Sequence, residues 1–235
     1  MADIDTDALT QFLETANAVR NVNESLLLPA DVVLQKLDLM TDKGLTNASL
    51  LLFGKAPEKF FRQHYEVKCG TFVSDSGYDD LLNDQEYHQN LLHTFHAALT
   101  FLLQSIHKAS HKQALQRQEG WEFPLGVLRE ALVNMLVHRD YRQDIKSTIE
   151  VRPSSIAFYN PVQLFGPTIT IARLHQLHPS RPGNKLLAKI FYLMGLFENW
   201  GGGTLKIISD SVQAGKPTPE FTYEDGMFRL VLFRS

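Results

Sequence analysis

One segment constrains the fold more than any other, because residues 125–138 are apolar around most of a helical circumference. Such a helix is expected to be buried. Glu130, Asn134 and His138 nevertheless follow one another at intervals of four residues, which places them in one narrow stripe. Buried carboxylate and amide groups need partners. The stripe therefore indicates a ligand, a metal or ordered water, unless it faces solvent or Glu130 pairs with a basic residue such as Arg139.

The stripe has a definite chemical use. A carboxylate can take a proton from an attacking water molecule. An amide oxygen one turn later is a hard ligand suited to Mg²⁺, which keeps several waters and needs few protein ligands. Glu130 and Asn134 are therefore candidates for proton transfer and for metal binding.

Three glycines, Gly201, Gly202 and Gly203, precede an apolar helical pattern. Glycines let backbone N–H groups approach an anion closely, and a helix start adds its positive dipole end. The pattern fits a phosphate-binding turn, although a simple turn before a helix gives the same sequence.

Two further segments carry candidate contacts. Asn160 ends a predicted strand before Pro161, which favours a turn, but its amide could also present a donor and an acceptor to a base edge. Arg181 and Asn184 lie in a flexible loop that could touch phosphates or simply be solvated.

Composition excludes several classes of protein. The 235 residues carry a formal net charge of -3, so nucleic-acid binding would need a local patch or a part not present here. The sequence contains no run of about 18 apolar residues, so no membrane span is predicted. Cys69 is the one cysteine, which excludes an intrachain disulfide and a cysteine cluster for zinc. We expect a cytoplasmic protein without a membrane partner.

Hydrophobic periodicity predicts an α+β chain. Helices are predicted over residues 7–20, 31–39, 86–107, 124–139, 186–196 and 204–214. Strands are predicted over residues 50–53, 65–72, 148–151 and 156–159, with a hairpin over 221–233, loops over 74–85 and 161–184, and a linker over 108–119. We expect a helix-and-hairpin lobe over residues 1–115 and a second domain, over 116–235, with a mainly antiparallel sheet covered on one face by helices.

The order of these motifs resembles a known family. Residues 128–134 with 137–141 look like the signature helix of the ATP-binding domain of RecG-like transcriptional regulators. In that family a Schlafen-type, Alba-like DNA-binding domain precedes a divergent GHKL ATPase domain. The later landmarks lie at residues 156–161, 180–184, 198–203, 219–221 and 226–228, and residues 45–55 resemble the segment that joins the two domains.

The resemblance implies a GHKL (Bergerat-type) helix-on-sheet sandwich that binds ATP and Mg²⁺. Glu130 would be the general base, Asn134 the magnesium ligand and Asn160 the adenine contact. Further nucleotide contacts would come from the helix stripe, the lid region and the glycine box: His138, Arg181, Asn184, Gly201, Gly202 and Gly203.

Two residues depart from the family pattern. Val162 stands where a glycine is usual, and a valine there is expected to narrow the base pocket or change the backbone angle. Gly183 stands where an arginine is usual. Whether ATP is hydrolysed is left open, and a nucleotide-free scaffold used for dimerisation or protein contacts is the alternative. DNA would be bound through a domain missing from this chain, and a homodimer is the other partner considered.

Overall fold

The computed structural model describes residues 1–22, 27–61, 65–113, 121–163, 170–178, 181–197 and 201–234, with backbone alone over 107–113. The helices are α1 (Thr6–Arg20), α2 (Ala30–Lys36), α3 (Asn47–Phe53), α4 (Leu91–Gln113), α5 (Leu125–His138), α6 (Ile171–Leu174), α7 (Lys185–Leu193) and α8 (Gly203–Gln213), with a 3-10 turn over Pro57–Lys59. The strands are β1 (Met40–Thr41), β2 (Gly44–Leu45), β3 (Val67–Phe72), β4 (Leu81–Tyr87), β5 (Ser147–Val151), β6 (Ser155–Pro161), β7 (Glu220–Glu224) and β8 (Met227–Phe233).

Six strands form one mixed sheet in the order β4-β3-β5-β6-β8-β7. The pair β3–β5 is parallel, and the other neighbours are antiparallel. This confirms the predicted α+β class and the mainly antiparallel sheet. Because β3 and β4 precede residue 116, the sheet spans the boundary that we predicted between two domains.

The helices that matter for the site form a layer on this sheet. Helix α4 packs on β3 and β5, α5 packs on β6, and α4 and α8 flank α5. Apolar side chains from both halves of the chain join in one continuous core, which includes Phe12 of α1, Phe95 of α4 and Leu132 of α5. None of the helices in the described part of the chain is long and apolar enough to cross a membrane.

The clearest error of the sequence prediction concerns residues 50–53, which belong to helix α3 and not to a strand. Thr46 caps the N-terminus of this helix, since its hydroxyl accepts a hydrogen bond from the backbone N–H of Ser49 at 3.2 Å. A short apolar run is compatible with a buried strand and with a buried helix, so the periodicity alone did not separate them.

Other boundaries also differ. Residues 81–87 form strand β4, where the end of a loop and the start of a helix were predicted, because an exposed edge strand can be polar on both faces. Helix α2 ends at Lys36 and not at residue 39. Helix α4 begins at Leu91 and continues to Gln113, into the predicted linker, while α6 forms inside the predicted loop 161–184.

The C-terminal hairpin follows the prediction. Strands β7 and β8 pair from Glu224 and Met227 outward. The two turn residues, Asp225 and Gly226, have φ values of 49° and 80°, as a type I′ turn requires. Asp and Gly tolerate this left-handed conformation, which is why the turn was visible in the sequence.

Candidate functional site

Helix α5 turns its acid and its amide inward. The Glu130 side chain is buried, with 6% of the residue exposed. Its Oε1 accepts a hydrogen bond of 2.9 Å from Asn134 Nδ2, one helical turn away. That bond leaves the amide oxygen of Asn134 to accept from, or to ligate, another group. The stripe therefore lies in the protein and not in bulk water.

The alternative pairing of Glu130 with Arg139 does not occur. Arg139 is buried, and its guanidinium donates to the carbonyl oxygens of Glu66 and Ile145 and to the hydroxyl of Ser147, at 2.8–2.9 Å. Burial lowers the pKa of Arg139 from its usual value. Arg139 therefore ties the end of α5 to the sheet.

The glycine turn lies against the acid–amide pair. Gly201 has a φ of 73°, which favours glycine. Gly203 is the first residue of α8, and a Cβ placed on it would lie 2.0 Å from Glu130 Oε1 and 3.4 Å from Asn134 Nδ2. A Cβ on Gly202, in contrast, would meet nothing within 4 Å. The absence of a side chain at Gly203 is thus what lets the turn approach the carboxylate.

A cavity of about 140 Å³ joins these groups. Six predicted residues besides Glu130 line it, and they come from α5, β6, the lid region and the glycine turn: Asn134, His138, Asn160, Arg181, Gly201 and Gly203. Its apolar wall includes Phe158, Phe197, Phe221 and Phe228. The chain thus brings together groups that are more than 70 residues apart in the sequence.

Asn160 is held rigidly at the floor of this cavity. Only 2% of the residue is exposed. Its Nδ2 donates to the carbonyl oxygen of Met135 at 2.9 Å, and its Oδ1 accepts from the Ser147 hydroxyl at 2.7 Å. An ionised aspartate could not donate to the Met135 carbonyl, so this hydrogen bond explains why an asparagine fits at position 160.

His138 lines the cavity as a neutral imidazole. Burial, followed by the nearby His178, lowers its pKa from 6.5 to about 4. The ring lies 6.3 Å from that of Phe197, centroid to centroid. At neutral pH this residue therefore adds hydrogen-bonding capacity without adding charge.

Asn184 lies outside this cavity, although we predicted a nucleotide contact. Its Nδ2 donates to the carbonyl oxygens of Val137 and Arg139, at 2.9 and 2.7 Å. These bonds satisfy carbonyls that the end of α5 leaves without helical partners. Gly202 is also absent from the cavity wall, where its neighbours Gly201 and Gly203 lie.

Several contacts at the site were not predicted from the sequence. Ser147 orients Asn160, and the Tyr141 hydroxyl donates to the carbonyl oxygen of Leu136 at 2.8 Å. Thr204 donates to the carbonyl oxygen of Leu174 at 2.8 Å and so fastens the glycine turn to α6. The contacts of Ser147 and Thr204 join residues 13 and 30 positions apart, so no local pattern could reveal them.

Val162 lies at the cavity, where the sequence led us to expect a narrower base pocket or a changed backbone angle. It is buried, with 5% exposed, and it belongs to the cavity wall. Its backbone N–H donates to the carbonyl oxygen of Gly226 at 3.0 Å, and its own carbonyl oxygen accepts from the Tyr223 hydroxyl at 3.3 Å. Its φ is not positive, so the valine fits without backbone strain.

Comparison with known proteins supports part of this interpretation. Residues 145–232 match the family described as "Putative ATP-dependent DNA helicase recG C-terminal". The matched stretch contains Asn160, Arg181 and the glycine turn, and it begins after α5. The match supports a nucleotide-binding function for this part of the chain.

A solved structure shares the fold of the whole chain. The crystal structure of the DIP2311 protein from Corynebacterium diphtheriae superposes with a TM-score of 0.71 at 18% sequence identity, covering 99% of this chain and 44% of that one. At this identity the likeness shows the fold alone, and our chain spans less than half of that protein's length. No curated protein matches the sequence.

Proposed function

We propose that this chain is an ATP- and magnesium-binding regulatory domain. The observation that carries the proposal is the contact between the Gly203 backbone and the Glu130–Asn134 pair. Such a contact leaves no room for a side chain at residue 203, so the backbone of the glycine turn lies directly against the acid–amide pair. It also puts backbone N–H groups at the start of α8 beside a hard oxygen ligand.

In this proposal each group has one task. The cavity beside Asn160 takes the base alone. Its volume of about 140 Å³ is too small for a whole nucleotide, because pockets that hold a whole ligand usually have ~300–1,000 Å³. The turn at Gly201 and Gly203 takes the phosphates. Glu130 is placed to accept a proton from water, which would support slow hydrolysis. Bound magnesium would supply positive charge that neutralises the phosphate oxygens.

The residues fit magnesium only together with phosphates. The described part of the chain contains no group of three or more His, Cys, Asp or Glu side chains that could hold a metal ion. Asn134 offers one amide oxygen, and Mg²⁺ requires about six oxygen ligands, which waters and phosphates commonly supply. We therefore expect the ion to bind with the nucleotide and not before it.

The regulatory part of the proposal extends the resemblance to transcriptional regulators. Nucleotide bound at this site would adjust a DNA-binding domain outside this chain. The net charge of -3 is consistent with DNA being held elsewhere. Helicase action is not proposed, because the sequence lacks the phosphate-loop motif Gly-x-x-x-x-Gly-Lys-Ser/Thr.

A specific observation favours a second candidate, a nucleotide-free scaffold for dimerisation or protein contacts. Asn160 already has partners at both ends of its amide, and Val162 with the phenylalanine rings restricts the cavity. A scaffold would need no space for a base. It predicts a chain whose stability does not respond to any nucleotide.

A thermal scan separates the two candidates. For the ATP site we expect ATP with Mg²⁺ to raise the melting temperature by several degrees at concentrations well above Kd, while Mg²⁺ alone has no effect. Asn134→Ala should remove the gain that magnesium adds. A melting temperature that is unchanged by millimolar ATP, GTP or their analogues with Mg²⁺ would support the scaffold and overturn the ATP site.

A further inference from the structure

A second and larger cavity lies on the other side of His138. It has a volume of about 630 Å³ and lies between the start of α3, the end of α5 and the start of α7. We call it the α3–α7 cleft. Its volume falls within the range of roughly 300–1,000 Å³ that is usual for small-molecule sites. His138 and Gln163 line both cavities, which are therefore neighbours.

One end of the α3–α7 cleft suits an anion. Helix α7 begins at Lys185, and no side chain caps its first turn, because Asn184 donates to Val137 and Arg139 instead. The first N–H groups of α7 are therefore available to an external acceptor. Lys185 itself is exposed, and within the described ranges no carboxylate forms an ion pair with it.

The remaining charged residues of the cleft also favour a negatively charged ligand. Arg142 donates to both carboxylate oxygens of Asp140, at 2.8 and 2.9 Å, and to Gln163. That pairing lowers the pKa of Asp140 and keeps the carboxylate ionised. Since Arg139 and Lys185 line the cleft as well, cations outnumber the single lining carboxylate. The carbonyls at the end of α5, which would repel an anion, are already occupied by Asn184 and Tyr141.

The other side of the α3–α7 cleft is apolar. Ala48 and Leu51 of α3, Phe61 and the first leucines of α7 form this wall. Contact between water and such a surface is unfavourable. A flat or branched apolar group of a ligand that covers the surface removes it from water, which favours binding. An inorganic anion would fill the polar end and leave this wall uncovered.

We infer that the α3–α7 cleft binds a small organic anion that joins an apolar body to a phosphate or carboxylate. The anionic group lies at Lys185 and the start of α7, and the apolar body lies against Leu51 and Phe61. This site is separate from the nucleotide cavity and does not depend on the proposed ATP function. The cleft and that cavity are adjacent, because His138 lines both of them.

Calorimetric titration of the whole chain with phenyl phosphate tests this inference. We expect saturable binding with one site per chain, and binding of inorganic phosphate and of phenol at least about tenfold weaker, because each satisfies one half of the cleft. Benzoate in a parallel titration shows whether a carboxylate replaces the phosphate.

Matched variants locate the site. Lys185→Gln should weaken phenyl phosphate binding roughly tenfold, the usual size of a lost charge-assisted contact. Lys189→Gln is the control, since Lys189 is on the same helix but pairs with Asp38 outside the cleft. Ala48→Trp should abolish binding by filling the cleft, with circular dichroism to show that the fold is retained.

The inference is overturned if phenyl phosphate does not bind at millimolar concentration, or if Lys185→Gln and Lys189→Gln bind it equally well. Equal affinity for phenyl phosphate and inorganic phosphate would also overturn it. Asn134→Ala distinguishes the two proposals, because it should lose the magnesium-dependent response to ATP while phenyl phosphate binding is unchanged.

Discussion

At the scale of single residues, Gly203 is the position on which the site depends. Its backbone lies where any side chain would collide with the Glu130 carboxylate. Gly202, its immediate neighbour, has open space around it and a φ of -96°, which any residue can adopt. The two glycines therefore provide a matched pair for testing function apart from stability.

Gly203→Ala should abolish the response to ATP and magnesium, whereas Gly202→Ala should retain it. The new methyl group meets the far end of a side chain, so Glu130 moves aside and the fold survives. We expect Gly202→Ala to melt within a few degrees of the parent chain, because its Cβ meets open space, and Gly203→Ala to melt somewhat lower, because the buried Glu130 carboxylate has to move. Equal nucleotide binding by the two variants would remove Gly203 from the site.

His138 gives a prediction for pH. Its folded-state pKa of about 4 lies below the usual 6.5, so the unfolded chain binds the proton more readily. Stability contributed by the neutral ring is therefore complete above pH 6.5 and is lost as the pH falls through 4. The loss has an upper limit of about 3 kcal/mol.

Urea unfolding at pH 7, 6 and 5 measures this effect. The parent chain should lose more free energy of unfolding between pH 7 and pH 5 than His138→Gln, which has no proton to bind. Parallel curves for the two proteins would show that His138 is not buried as a neutral group.

At the scale of elements, the end of α5 explains several residues of the predicted motif. Asn160, Tyr141 and Asn184 each donate a side-chain hydrogen bond to a carbonyl in the last turn of that helix. They hold in place the helix that carries Glu130 and Asn134. Their presence in the motif thus has a structural cause besides any contact with a nucleotide.

Asn184→Ala should lower the free energy of unfolding by roughly 1–3 kcal/mol, because it leaves two carbonyls without their donor. Asn184→Asp should cost more, since it sets a carboxylate against the negative end of a helix. Chemical denaturation measures both, with Asn47→Ala as the control at an exposed position. Equal stability of the alanine variant and the parent chain would contradict the capping role.

What the sequence could predict at this scale depended on the range of the interactions. Helix α1 was predicted over residues 7–20 because its apolar residues, which the fold buries, recur at helical spacing, and such periodicity is local: Leu9, Phe12, Leu13 and Ala16. Helix α3 was mistaken for a strand because seven residues contain too few turns to establish a period. The caps of α5 come from residues up to 47 positions away, and no local pattern encodes such contacts.

At the scale of the whole molecule, one sheet and one core integrate the chain. The parallel pairing of β3 with β5 places a strand from the first half of the chain in the same sheet as the strands of the second half. The predicted division into a lobe over residues 1–115 and a domain over 116–235 did not include this pairing. The cavity that we propose for the nucleotide and the α3–α7 cleft lie at opposite sides of His138 near the end of α5. Spacing predicted the stripe on α5, but only the resemblance joined it to the glycine turn about 70 residues later.

The central claim is that the acid–amide pair and the glycine turn form one site for a magnesium-bound nucleotide. Isothermal titration of the chain with ATP in the presence of Mg²⁺ tests it most directly. The account predicts saturable heat with one site per chain, which weakens strongly when Mg²⁺ is removed and in Asn134→Ala. No heat of binding up to millimolar ATP, or binding that is identical with and without Asn134, would contradict it.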